Sequence, residues 1–347
     1  MSRRTNLSRD RSPQSQRGGI DIADDVSLST GGLFNQTRLE QFRHYVAERQ
    51  RIWAARNLRK EPPPWTIDPI LSSQRFTNVY RELDPGTVYA RTEILENAAA
   101  APDRVFNIML YRLIGRKETH RALGFQKLET FDSKGLETAL KLVRESGQPT
   151  FTAAYMVSGY RSMGSRDKIV NVSRLFGRLH NGFDEFYPFL ARAVNLPAAY
   201  ATVRSRDGFG NFLAYQILVD LMYPIERDGG RGILPFTPDQ WAAAGPGAQK
   251  GIGLLTGGSG ASDLSVMRWL RSHQRSEFER LSIGFEYLRD SRGVTIEISL
   301  ANIQNCLCEF YKYEKIREGT GRGRRLFRPS PVGSSPDELG SENIGAF

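Results

Sequence analysis

Asp207-Gly208-Phe209-Gly210-Asn211-Phe212-Leu213-Ala214-Tyr215-Gln216-Ile217-Leu218-Val219-Asp220-Leu221 is the stretch on which the chain turns. Two glycines flank one apolar residue and open a helix, leaving backbone N–H groups free at a positively polarised helix start, which suits a phosphate. A helix-hairpin-helix grips DNA in this way, with Gly208, Gly210 and Asn211 as the contacts. A tight turn that lets the helix pack closely uses the same residues, so the surroundings decide.

Outward from this helix the chain reads as mostly helical. Leu39, Phe42, Tyr45, Val46, Ile52 and Trp53 recur at near-helical spacing and predict an amphipathic helix ending before Pro62-Pro63-Pro64. Trp65 and Ile67 are then expected to plug a surface groove. In Arg75 to Asp84, residues Phe76, Val79, Tyr80 and Leu83 share a helical face, with Arg75, Asn78, Arg81 and Glu82 around it. Further helices are expected near 87–99, 102–114 and 136–143, and two more between 168 and 194. Phe151 to Val157 suits a short strand or a buried helix start, and the helix is preferred. Thr295 to Ile298 is the best strand candidate, leading into a helix from Leu300 to Phe310. Thr237 is a suitable N-cap with Pro238 at the first helical position, which puts Asp239 in the first turn of a helix.

The 347 residues allow a substantial core. Lys and Arg total 48 against 38 Asp and Glu, and this balance favours a polyanionic partner such as nucleic acid. Residues 1–32, rich in Ser, Arg, Gly and Asp, read as a disordered basic tail, 33–318 as the helical domain and 319–347 as a flexible tail. Cys306 and Cys308 point to different helical faces, so neither a disulfide nor a zinc site is expected. No apolar run spans a bilayer and no signal peptide is evident, which makes the cytoplasm the expected location. Gly257-Gly258-Ser259-Gly260-Ala261-Ser262 lacks the Gly-Lys-Ser/Thr of a P-loop, so no nucleotide cofactor is expected. Nor is any obligate protein partner.

Asp220 lies one turn beyond Gln216 on the same face, and with Tyr215 the two either line a pocket or tie helices together. Lys250, after two glycines and a proline, meets a backbone phosphate or stays a solvated lysine.

Arg75 to Asp84, Gly208 to Gln216 with Asp220, Ala244 to Gly251, and Ile303-Gln-Asn-Cys-Leu-Cys-Glu-Phe-Tyr-Lys-Tyr313 form one ordered set. It resembles the family of alpha-glutamyl/putrescinyl thymine pyrophosphorylases and the helical domain of hydroxymethyluracil DNA kinases, related to helix-hairpin-helix DNA glycosylases. The resemblance spans about residues 70–318. It implies an all-α, glycosylase-like bundle acting on DNA that contains modified pyrimidines. The sequence departs from the family in carrying no recognisable fused kinase domain, so any activated substrate is expected to come from another enzyme. The resemblance also implies site roles. Asp239 fits the glycosylase carboxylate by position, with Asp220 its rival. Glu309 becomes a second carboxylate, Lys312 a phosphate or leaving-group contact, and Asn78 and Arg81 the site wall.

Either reaction needs the base out of the stack. The first expectation is a glycosylase that excises a bulky 5-substituted pyrimidine, such as hydroxymethylcytosine, its glucosylated form or a hypermodified thymine, in defence against phages; it needs only water and no metal. The alternative is a transferase that replaces pyrophosphate on activated 5-hydroxymethyluracil with an amino acid or polyamine. That reading calls for a second pocket and a divalent ion. A DNA-binding module with a decayed site is the non-enzymatic reading.

Overall fold

The computed structural model describes residues 30–153, 158–321 and 326–327. Among these, ten helices run nine residues or longer: α1 Gln36–Asn57, α2 Ala101–Ile114, α3 Ser133–Glu145, α4 Lys168–Asn181 and α5 Phe183–Ala191, then α6 Leu196–Arg204, α7 Asn211–Met222, α8 Pro246–Thr256, α9 Asp263–Ser272 and α10 Leu300–Arg317. The expected mostly helical class holds. The basic tail lies outside the described residues as far as 29, and Thr30–Leu33 already form a helical turn. Most of the expected C-terminal tail also lies outside them.

Side chains start several of these helices. Asn35, Asp132, Asp167, Asn195, Ser262 and Ser299 each accept a backbone N–H of the first turn, supplying a partner the helix itself lacks there. α7 is buried on nearly every side, from Leu213 to Tyr215 and from Ile217 to Met222, as a helix apolar all round should be. α2 and α6 pack on it, α3 packs on α4, and α8 lies along α10. The α8–α10 pair is close because Gly251 has no side chain: a Cβ there would sit 2.3 Å from the Leu307 carbonyl oxygen. The only strands among the described residues, β1 Leu288–Arg289 and β2 Thr295–Ile296, form one small antiparallel pair before α10. Among the described residues, no helix is long and apolar enough to cross a membrane.

Four local expectations are not met among the described residues. Arg75 to Asp84 is not an α-helix but an irregular run ending in a 3-10 turn at Arg81–Leu83. Its N–H groups are taken by side chains instead of carbonyls four residues back: Thr77 N–H donates to Glu309, Asn78 N–H to Asp84 and Arg81 N–H to Asn302. Asp239 starts no helix either. The Pro238 carbonyl accepts the Ala301 N–H, which ties this turn to the start of α10, and the next helix begins at Pro246. Phe151 to Ala153 bend without helix, and 154–157 lie outside the described residues. Trp65 is buried as expected, whereas Ile67 is fully exposed and plugs nothing.

Candidate active site

The 75–84 segment lies along α10 and brings two of the quoted motifs together. Thr77 N–H donates to Glu309 at 3.1 Å, Asn305 Nδ2 to Thr77 Oγ1 at 2.9 Å, and Arg81 N–H to Asn302 Oδ1 at 3.1 Å. Lys312 Nζ donates to the Arg75 carbonyl, pairs with Glu309 at 3.3 Å and sits 4.4 Å from the Phe76 ring centroid. Glu309 and Lys312 thus fasten residues 75–77. Asn78 turns inward, its Nδ2 donating to the Leu83 carbonyl at 2.9 Å, and so shapes the turn that aims Arg81. Burial pushes the Asp84 carboxyl beside it up to about 7, against the backbone N–H of Asn78 that favours its charged form.

Arg81 points from this segment to α7, where Asp220 is fully buried. Arg112 of α2 clamps Asp220 through two donors, Nη2 lying 2.6 Å from Oδ1, and Arg81 Nη2 stands 3.8 Å from the same oxygen. A buried carboxylate held by two guanidinium donors is strongly tied, since removing a partner would strand its charge. Tyr215 and Tyr223, both buried, flank this cluster, and Asn302 Nδ2 lies within 3.2 Å of both Glu82 carboxylate oxygens. Burial raises the pKa of Glu82. Gln216 is half-buried, and its side chain hydrogen-bonds to none of the described residues. Trp241, also half-buried, sits 6.0 Å from the Tyr215 ring.

Asp239 lies on the turn before α8 that is bonded to the start of α10. Its Oδ1 accepts the Leu300 N–H at 3.0 Å, and both oxygens face Arg271 at 3.2–3.3 Å. The carboxylate is 40% exposed. α6 and α7 are joined by residues 205–210. Gly208 takes a left-handed φ of +86°, and its carbonyl accepts the Tyr160 hydroxyl at 3.3 Å. Gly210 and Asn211 are exposed, and no side chain caps the start of α7. Lys250 is exposed on α8 with its Nζ 5.5 Å from the Tyr311 ring, which Lys315 also approaches, at 5.8 Å. Among the described residues, no three or more His, Cys, Asp or Glu side chains gather to hold a metal ion.

The family described as 5-hmdU DNA kinase, helical domain, matches residues 36–323. The chain belongs to this family. The chain is also similar to the 5-hmdU DNA kinase of Bacillus phage SP10, 31% identical over 303 residues that cover 84% of this chain and 47% of that protein. The chain therefore spans about half the length of this curated relative. No solved structure matches it. All four quoted motifs lie inside the matched span, so the resemblance drawn from them holds.

In this member of the 5-hmdU DNA kinase helical-domain family, Arg112, Tyr223, Asn302 and Trp241 join the cluster although sequence reasoning singled out none of them. Arg112 had a signal: it interrupts the apolar run from Val105 to Ile114 with a charge, and such a charge is rarely left unpaired. Tyr223 had none, because it lies just past the end of α7.

Proposed function

We propose that the chain is the base-processing unit of an enzyme that acts on a 5-substituted pyrimidine in DNA by group transfer. An amine attacks the 5-methylene carbon of 5-hydroxymethyluracil activated as its diphosphate ester. The carbon–oxygen bond breaks, diphosphate leaves with the electron pair, a carbon–nitrogen bond forms and the ammonium loses a proton. Family membership supports a modified-thymine substrate. The observation that carries the transfer reading over hydrolysis is the state of Asp220: clamped by Arg112 and faced by Arg81, it is a poor base for activating water. The cations around it suit a reaction whose leaving group is an anion.

The remaining roles follow the chemistry. The base must leave the stack. Gln216, free to donate and accept, meets its edge, and Trp241 offers an aromatic face. The uncapped start of α7, with Gly208, Gly210 and Asn211, anchors a backbone phosphate, and Lys250 is a second phosphate contact at the protein surface. Arg81 and Tyr215 line the substrate side of the buried cluster, while Asn78, Glu309 and Lys312 hold the segment that carries Arg81.

A second reading, excision of the modified base, is favoured by one observation. Asp239 presents an accessible carboxylate, where Asp220 does not. Parallel incubations distinguish the two. DNAs carrying hydroxymethylcytosine, its glucosylated form or hydroxymethyluracil are tested for released base without any amine. DNA carrying hydroxymethyluracil diphosphate is tested for a gain in nucleoside mass with putrescine or amino acids. Transfer predicts product only in the second. Base release in the first, lost in Asp239→Asn, would replace it with the glycosylase.

A further inference from the structure

Arg81, Tyr215 and Tyr223 are 3%, 1% and 4% exposed. Between them they hold four buried atoms, Arg81 Nε and Nη1 and the two hydroxyl oxygens, that find no hydrogen-bond partner among the described residues. Buried donors are nearly always satisfied, and each exception calls for a reason. Burial holds both phenols well above their ordinary pKa, with Arg81 the leading charge acting on each, so both remain O–H donors near that guanidinium. Arg81 pairs with Asp220 through Nη2 at 3.8 Å, and Arg112 donates to both Asp220 oxygens. The cluster therefore holds donors that none of the described residues satisfies. An acceptor-only ligand fits such a site, and a phosphoryl group offers three or more oxygens with no proton to give.

We infer that Arg81, Tyr215 and Tyr223 form an anion pocket that takes the phosphoryl oxygens of the substrate's diphosphate, an assignment that rests on the transfer reading above. Arg81 Nε and Nη1 donate from different edges of the planar guanidinium, and the two hydroxyls add donors of their own. The 75–84 segment becomes part of the pocket's construction: its N–H bonds to α10 fix the backbone from which Arg81 projects. Trp241, half-buried, lies beside Tyr215. Tyr223, which no motif in the sequence flagged, is a binding residue on this account.

Unused donors also leave a mark on the protein without ligand. A buried hydroxyl with no partner is destabilising, so replacing it by hydrogen should stabilise the free chain while weakening the anion. The test is calorimetric titration of the full chain with inorganic pyrophosphate and with inorganic phosphate, alongside thermal unfolding without ligand, for wild type, Tyr215→Phe and Tyr223→Phe. Each Phe variant is expected to bind pyrophosphate about tenfold more weakly or worse, and to melt higher than wild type when free. Phosphate binding as tightly as pyrophosphate, with the same losses, keeps the pocket and assigns it to a single phosphoryl group. No binding by wild type, or unchanged affinity in both variants, overturns the inference. So does a lower melting temperature in both, which would make the hydroxyls structural. Binding is read without turnover, so a chain that holds pyrophosphate but transfers no amine keeps the pocket and sinks the transfer reading. Amine transfer with unchanged pyrophosphate affinity in both Phe variants does the reverse.

Discussion

Adding one methyl group to Gly251 probes the contact that seats α10, the helix to which the 75–84 segment is fastened. The new Cβ would lie 2.3 Å from the Leu307 oxygen, 2.9 Å from its carbonyl carbon and 3.3 Å from its Cα. All three are backbone atoms and cannot rotate away, so α8 and α10 must separate by about 1 Å to reach ordinary contact. Overpacking of this kind costs about 1–3 kcal/mol. Against it stands a gain of about 1 kcal/mol in helix propensity on replacing Gly with Ala. Gly253, two residues along the same helix, has nothing within 4 Å of its Cβ position, so Gly253→Ala collects the propensity gain alone. Urea unfolding should rank the proteins Gly253→Ala, wild type, Gly251→Ala, with a span of about 1–3 kcal/mol between the variants. Equal stability of the two variants would refute the packing argument and return the Ala244 to Gly251 motif to some other role.

Arg112→Met strands the Asp220 charge and should cost about 3–5 kcal/mol, most of it recovered in the double variant with Asp220→Leu; urea midpoints that stay at the wild-type value contradict the clamp. Asp239→Asn keeps an acceptor for the Leu300 N–H and loses only a partly exposed pair with Arg271, so stability should change by less than about 1 kcal/mol. Amine transfer should survive that change, and its loss would put Asp239 in the chemistry. Burial lowers the His120 imidazole to about 4 from 6.5, so as pH falls between those values the unfolded chain takes up a proton that the folded one refuses, and stability drops. Burial raises Asp84 from 3.8 to about 7, and here stability drops as pH rises through that range. Relative to wild type, His120→Gln should lose the first slope and Asp84→Asn the second, each up to about 1.4 kcal/mol per pH unit; urea titrations parallel to wild type would contradict both.

The helical class was legible because apolar periodicity is a local signal, and α7 shows it most plainly: a helix apolar on every side had to be central. The 75–84 segment was misread because its periodicity suits a helix while its N–H groups bond Glu309 and Asn302, partners no local window contains. Asp239 failed for a related reason. A Thr-Pro start signal is real, but the Pro238 carbonyl is drawn to the start of α10, and Gly245-Pro246 offers a second start close by. The spacing of Gln216 and Asp220 placed both on one face, yet said nothing of Arg112, which donates to both Asp220 oxygens. Glu309 and Lys312 were visible as a pair, but only the fold shows that they hold residues 75–77.

The measurement closest to the central claim counts two products in one tube. DNA bearing 5-hydroxymethyluracil diphosphate is incubated with the chain and labelled putrescine, and released pyrophosphate is compared with amine joined to DNA. The account predicts equal amounts of the two, with both lost together when Arg81 is replaced by Gln. Free base and an abasic site, with no amine incorporated, would contradict it.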